Sequence, residues 1–335
     1  MPAKLNISNM VNRHHNVAVV VIGRNEGERL VRCLNTLINY TDKIVYVDSA
    51  STDSSIEEAQ KKGAHVIALD MSMPFTAARA RNAGFEKALA LFENSEFIQF
   101  IDGDCEMLDG WLDESVKFLQ SHPQVAVVSG VLKERFPHKS IFNTLCDNEW
   151  SMPIGSVKSC GGNALMRVKA FKEVGGFLNT LIAGEEPELC VRLRQKGWLI
   201  WHIDNNMMLH DANMMHISQW WKRCKRSGYA FAEGSYLHGG APEYHWVAES
   251  RRSLIWGALL PVIILVLSFI SWKLSFILLF IYPLQIIRLA FKTKQASNWL
   301  IAVHLVMSKF PEAVGQMEFY KRRILKLKIN LIEHK

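Results

Sequence analysis

The chain has 335 residues, 49% of them hydrophobic and 21% charged, with a net charge of +7. That length admits one large or two ordinary domains with a proper core, and the composition excludes a disordered or linker-rich protein. Six cysteines (Cys33, Cys105, Cys146, Cys160, Cys190 and Cys224) are scattered without a CxxC pair, which excludes a metal finger and predicts reduced thiols in a cytosolic compartment.

Near the start, only the short apolar run VAVVVIG follows the polar NRHHN, too little for a signal peptide. That run (17–23) predicts a buried strand. EGERLVRCLNTLINY carries Leu30, Cys33, Leu34, Leu37 and Ile38 at helical spacing. KIVYVDSAS predicts a second strand, DSSIEEAQKKG a helix closed by Gly63, and AHVIAL a third strand. PFTAARARNAGFEKALALF predicts a helix and EFIQFIDGD a fourth strand. Strands alternating with helices imply a parallel sheet covered on both faces, with ligands gathering at the carboxyl ends of the strands. Polar residues cluster at those ends: Arg24, Asn25 and Glu26, then Asp48, Ser49, Ser51, Thr52 and Asp53, then Asp102 and Asp104.

Asp-Gly-Asp after a hydrophobic strand lets two carboxylates converge, with Gly103 giving the chain room to turn. Carboxylates so placed suit Mg2+ or Mn2+ beside phosphate oxygens, although the same tripeptide also makes an ordinary turn. Asp53 and Ser51 suit helix capping; Asp48, still on its strand, suits accepting from the N3–H of a uracil ring. Arg79 and Arg81 open a helix near the same rim, where arginine's planar donors suit phosphate; an exposed helix face is the bland alternative.

Farther on, Ser253 to Trp272 is free of charge for about the length that spans a hydrocarbon core. The run 274–287 follows Lys273 and stops before Arg288, so it either spans with Arg288 snorkelling or is partly embedded. Arg251 and Arg252 before the pair, and Arg288, Lys292 and Lys294 after it, place both flanks on the cytoplasmic side. Residues 298–320, broken by Pro311, predict a segment at the interface, and the basic tail KRRILKLKINLIEHK suits anionic lipid headgroups. The alternatives are a core helical hairpin and a solvated tail. The local charge excess speaks against nucleic acid.

VIGRNEGERLVRCLNTL, VDSASTDSS, ARARNAG and IDGD, in this order and at these intervals, resemble the nucleotide-sugar half of the family-2 inverting glycosyltransferases with a GT-A fold. SCGGNALMRVKAFKEVGGF resembles that family's acceptor-side strand and helix, GEEPELCVRLRQKGW its Gly-Glu-Asp segment, and LHDANMMHISQWWKRCKRSGY its late His and basic, aromatic segment. The resemblance covers roughly 16–240. It implies an α/β fold with a Rossmann-like, mostly parallel sheet and helices on both faces, followed here by a membrane helical hairpin and an interfacial helix. The expected divisions are a tail (1–15), a catalytic domain (16–245), the hairpin (246–294), and an interfacial helix with the basic tail (295–335).

Carried over residue by residue, the resemblance implies that Asn25 and Glu26 line the nucleotide pocket, Asp48 contacts the base and Asp102 touches ribose or sugar. Asp104 ligates Mg2+ or Mn2+, with His210, or alternatively His216, completing that site, and Arg223 and Arg226 grip the departing diphosphate. The family's second acid removes the acceptor's proton. This chain has Gly184-Glu185-Glu186 there, so Glu186, one methylene longer, or Glu185 takes the role. A capping function for these acids, helped by Pro187, is compatible with it.

The expected reaction is transfer from a nucleotide-sugar, with UDP favoured and GDP or dTDP open, to a lipid-linked or glycan acceptor at the cytoplasmic side of the plasma membrane. A polyprenyl-phosphate acceptor and a catalytically silent membrane scaffold are the rivals. GRNEG lacks the spacing of a nicotinamide-binding loop.

Overall fold

The computed structural model describes residues 14–292 and 298–327. Most of the expected N-terminal tail, Lys294 of the hairpin flank and the last eight residues of the basic tail lie outside the described residues.

Val17 to Val21 are apolar on both faces and completely buried, so the strand they form must lie inside a sheet. The first elements are β1 (Val17–Gly23), α1 (Glu28–Leu37), β2 (Ile44–Asp48), α2 (Ser55–Lys61), β3 (His65–Ala68), α3 (Ala77–Leu91) and β4 (Phe97–Asp102), the alternation expected from the sequence. β2 and β4 flank β1, β3 lies beyond β2, and all three pairings are parallel. Thr76 caps α3 by accepting from Arg79 N at 3.1 Å. Gly84 on that helix lies against Val20 and Val47 with no room for a Cβ.

The chain continues through β5 (Cys105–Met107), α4 (Trp111–Ser121), β6 (Val125–Glu134), α5 (Ile141–Glu149), β7 (Gly155–Val157), β8 (Ala164–Arg167), α6 (Val168–Glu173), α7 (Glu185–Gln195), β9 (Leu199–His210) and α8 (Ile217–His238). Among the described residues the strands form one sheet in the order β3-β2-β1-β4-β8-β6-β9-β5, with β7 beside β9. Parallel pairing is confined to β3-β2-β1-β4 and to β6 with β9; β8, β5 and β7 run antiparallel to their neighbours. One core lies between the sheet and α1 and α4, including Leu30, Leu34, Trp111 and Leu112. The other joins the opposite face to α3, α6 and α7 through Ala80, Phe85, Phe171 and Leu189. Phe97, Phe100 and Ile101 are fully buried; at about 1.5–3 kcal/mol each, they anchor β4 and make its acidic end a rigid platform.

After α8 come α9 (Val247–Leu254), a π-helical stretch (Ile255–Leu259), α10 (Leu260–Ile270), α11 (Trp272–Leu279), α12 (Ile281–Lys292), α13 (Asn298–Met307) and α14 (Lys309–Ile324). Val247–Ile270 and Trp272–Lys292 are each long and apolar enough to cross a membrane. They turn back at Ser271 as a hairpin: Ser275 Oγ donates to Ile264 O at 2.9 Å and Tyr282 OH to Trp256 O at 2.8 Å. The second helix passes Arg288 and ends at Lys292. The expected interfacial segment is two helices that part at Ser308, and Pro311 falls in the first turn of α14, where its missing N–H costs nothing. α14 is not a solitary surface helix. It crosses α8 at Gly228 and Gly315, each so close to the opposite backbone that a Cβ would collide with it.

Candidate active site

The loops after β1 and β2 are stitched together by their own polar groups. Asn25, at a positive φ of 54°, donates its N–H to Ser51 Oγ at 2.9 Å and accepts from Thr52 N at 2.7 Å. Gly27 N donates to Asp53 Oδ2 at 3.1 Å. Asp48 is 1% exposed, and its oxygens accept from Tyr46 OH at 3.0 Å and Ser51 N at 2.8 Å. Asn25 and Asp48 therefore brace the rim. Arg79, expected at phosphate, donates instead to the carbonyls of Asp70, Met73 and Pro74, each at 2.8 Å, and so holds its own loop.

Beside this rim opens a cleft of about 330 Å³. Glu26, Arg81, Asp102, Asp104, Glu185, Glu186, His210, Arg223 and Arg226 line it; Asn25, Asp48 and Arg79 do not. Glu26 pairs with Arg29 at 2.7 Å. On α8, Arg223 and Arg226 sit one turn apart on one face; Arg223 pairs with Glu149 at 2.7 Å and Arg226 Nε donates to Ile182 O at 3.1 Å.

Arg81 is 2% exposed and holds three carboxylates. Its Nη2 lies 2.8 Å from Asp102 Oδ1, and its Nη1 lies 2.8 Å from Glu185 Oε1 and 2.8 Å from Glu186 Oε1. A guanidinium so occupied organises acids and is not a free phosphate clamp, which corrects the expectation for Arg81. Burial works against its charge, yet Glu186, Asp102 and Glu185 together keep its pKa well above the ordinary arginine range. Glu185 and Glu186 open α7 behind Gly184, whose φ is 80°. A Cβ at Gly184 would stand 2.6 Å from the Trp246 ring. Of the two acids Glu186 is the more accessible, with its side chain 13% exposed against 5% for Glu185. Burial, then repulsion from Glu185, outweighs Arg81 and pushes the Glu186 carboxyl up to about 7.

Two neighbours of this cluster escaped the sequence reading. A Cβ on Gly162 would collide with Arg81 and stand 3.0 Å from Asp102 Oδ2 and from Glu186 Oε1. Asn163, 4% exposed, accepts from Asp102 N at 3.0 Å and so fixes the acidic turn. The Gly161-Gly162 pair, separated from β8 by Asn163 alone, was the available signal.

Asp104 and His210 meet because β5 pairs antiparallel with β9 and sets Cys105 opposite His210. His210 Nε2 lies 3.1 Å from Asp104 Oδ2, and the ring tilts over Trp150 at 4.6 Å. Cys105 Sγ joins them in one group whose ligand atoms lie within 4.8 Å. His210 Nδ1 is buried without a hydrogen-bond partner, while Nε2 is the nitrogen that meets Asp104. A carboxylate and an imidazole at one edge of a cleft fit a divalent cation. The alternative ligand His216 is exposed at the start of α8, where its N–H donates to Gln219 Oε1 at 3.0 Å, and it does not line the cleft.

Residues 18–175 match the model of glycosyl transferase family 2. The pre-mycofactocin glycosyltransferase of Mycobacterium tuberculosis (strain CDC 1551 / Oshkosh) is 26% identical over 211 residues, 59% of this chain and 43% of that protein. The succinoglycan biosynthesis protein ExoA of Rhizobium meliloti (strain 1021) is 26% identical over 193 residues, 54% of this chain and 57% of that protein. The chain thus spans about half the length of these relatives. Among solved structures, the mannosyltransferase PcManGT from Pyrobaculum calidifontis, in complex with GDP-Man and Mn2+, aligns over 90% of this chain and 87% of its own, with a TM-score of 0.62 and 18% identity. Residues 18–175 therefore form a glycosyltransferase family 2 domain, and the chain has the GT-A fold.

Proposed function

We propose that the chain transfers a sugar, with inversion, from a nucleotide-sugar donor to a hydroxyl group on a membrane-associated acceptor, and that residues 16–245 carry the reaction. One observation supports this most: a single cleft is bordered by the Asp104–His210 pair and by Glu186, whose proton affinity sits near neutrality. A general base works best with its pKa near the working pH. Glu186 takes the proton from the acceptor hydroxyl, whose oxygen attacks the anomeric carbon. The bond from that carbon to the diphosphate breaks, and the nucleoside diphosphate leaves from the opposite face. Arg81 holds Glu186 in place, and Arg226, which lines the same cleft, faces the charge that builds on the leaving group, while Arg223 is held at the cleft's edge by Glu149. Asp104 and His210 would hold Mg2+ or Mn2+, which would supply further neutralisation of that charge.

One relative is named for succinoglycan biosynthesis and the other as a glycosyltransferase, and the solved neighbour carries GDP-Man. The expectation of uridine rests on Asp48. That carboxylate already accepts one hydrogen bond at each oxygen, so the proposal is a nucleoside-diphosphate sugar, uridine and guanosine donors alike. The apolar hairpin (246–294) and the helices beyond it would seat the domain on the cytoplasmic face of the plasma membrane, since Arg251, Arg252, Arg288 and Lys292 flank the spans.

The test is release of nucleoside diphosphate by purified full-length protein given UDP- or GDP-sugars with Mn2+. Wild type should turn over at least one donor, and Asp104→Ala should lose roughly 10²-fold or more in kcat/KM. Equal rates for the two proteins, or no release from any donor, would sink the reading.

A further inference from the structure

A second cavity, about 380 Å³, lies beside the cleft, and Arg223 borders both. Leu145, Phe231, Ile301 and Leu305 give it apolar walls from α5, α8 and α13, and Lys309 and Glu312 of α14 close it. The closing helix is seated on the root of the apolar hairpin: Gly257 meets the Lys309 carbonyl with no space for a Cβ, and Ser253 hydrogen-bonds to Glu312. The cavity therefore bridges the first hairpin helix and the arginine at the edge of the cleft.

Charge decides what fits there. Arg223 Nη2 is 2.7 Å from Glu149 Oε2, and Lys309 Nζ is 2.6 Å from Glu312 Oε2. His304 Nε2 is 3.0 Å from the other oxygen of Glu149, while its Nδ1 accepts from Trp220 Nε1 at 2.9 Å. An anionic head would have to displace a carboxylate from its cation and then remain beside it, which is costly away from bulk water. An uncharged head with hydroxyls meets no such opposition, and an apolar tail matches the aliphatic and aromatic walls. We propose that this cavity seats the acceptor, and that the acceptor is an uncharged, hydroxyl-bearing amphiphile with its apolar part toward the hairpin and its hydroxyl end toward Arg223. The proposal rests on the sugar-transfer reading and adds the acceptor's chemical class.

Photolabelling tests it. Full-length protein in phosphatidylcholine nanodiscs is treated with octyl glucoside carrying a diazirine on its chain, or with the matching octyl phosphate, and labelled peptides are mapped. The glucoside should label the peptides holding Phe231 and Ile301. Ser227→Phe and Leu305→Trp, which fill the cavity from different helices, should each cut that labelling roughly tenfold, with nucleotide-sugar stabilisation of the protein unchanged. Equal or stronger labelling there by octyl phosphate, or labelling that survives both variants, overturns the proposal. Wild-type protein that no nucleotide sugar stabilises overturns the transfer reading itself, so the two failures are told apart.

Discussion

Glu185 and Glu186 are neighbours in the chain and share one arginine nitrogen, and the Glu186 carboxyl is pushed up to about 7 by burial and by Glu185. A base with that affinity loses its proton as pH rises, so kcat/KM should climb with an apparent pKa of about 7. Glu186→Gln should lower turnover roughly 10²–10⁴-fold; turnover that survives would favour an acceptor that is already an anion, such as a polyprenyl phosphate. Stability carries the same signature. The native state keeps a proton that the unfolded chain releases in the ordinary carboxyl range, so stability present below that range is lost as pH rises toward about 7. Glu186→Gln should flatten that fall in Tm, and an unchanged slope would contradict it. Sequence alone picked out both acids and Arg81 but not their joining. Their partners come from α3, β4 and α7, and only tertiary packing shows that one guanidinium serves all three carboxylates.

At the level of helices, the α8–α14 crossing depends on two residues without side chains. Gly228 abuts the backbone of Glu312, and Gly315 abuts that of Lys225. Close helix approach of this kind admits no methyl group, so Gly228→Val should destabilise the full-length protein by about 1–3 kcal/mol. Gly240→Ala, with open space around it, should leave the thermal midpoint unchanged. Matching midpoints for the two variants would remove the crossing from the list of stabilising contacts. The elements up to β4 were legible because continuous apolar runs (β1, β2 and β4) alternate with stretches of helical spacing. β5 and β7 have three residues each, too few to show a period, and both depend on β9 for their partner. The docking of α14 was hidden for a related reason: glycines that permit contact leave no hydrophobic stripe to read.

Across the whole molecule, the apolar hairpin and the reaction centre are linked through one ring. Phe269 and Phe291 are more than four-fifths exposed, the apolar surface that the proposed membrane seat would cover. Immediately before the first apolar helix, Trp246, at a φ of 54°, fills the space left by Gly184 and Gly234 and packs edge-on to Phe231 at 5.3 Å. Gly184 in turn starts the helix that carries Glu186. The position of the base is thus set by a side chain whose own backbone continues into the hairpin, while Asp104 and His210 sit on β5 and β9 and are held independently. Shortening the ring should therefore separate chemistry from donor binding. Trp246→Ala should reduce kcat roughly 10- to 100-fold, the range expected when a catalytic group is displaced by about an ångström, with the donor's KM nearly unchanged. Trp246→Phe should restore much of the rate, because a smaller ring still fills part of the gap beside Gly184. A rise in donor KM with kcat intact would instead place Trp246 in donor binding and break the link drawn here between hairpin and base.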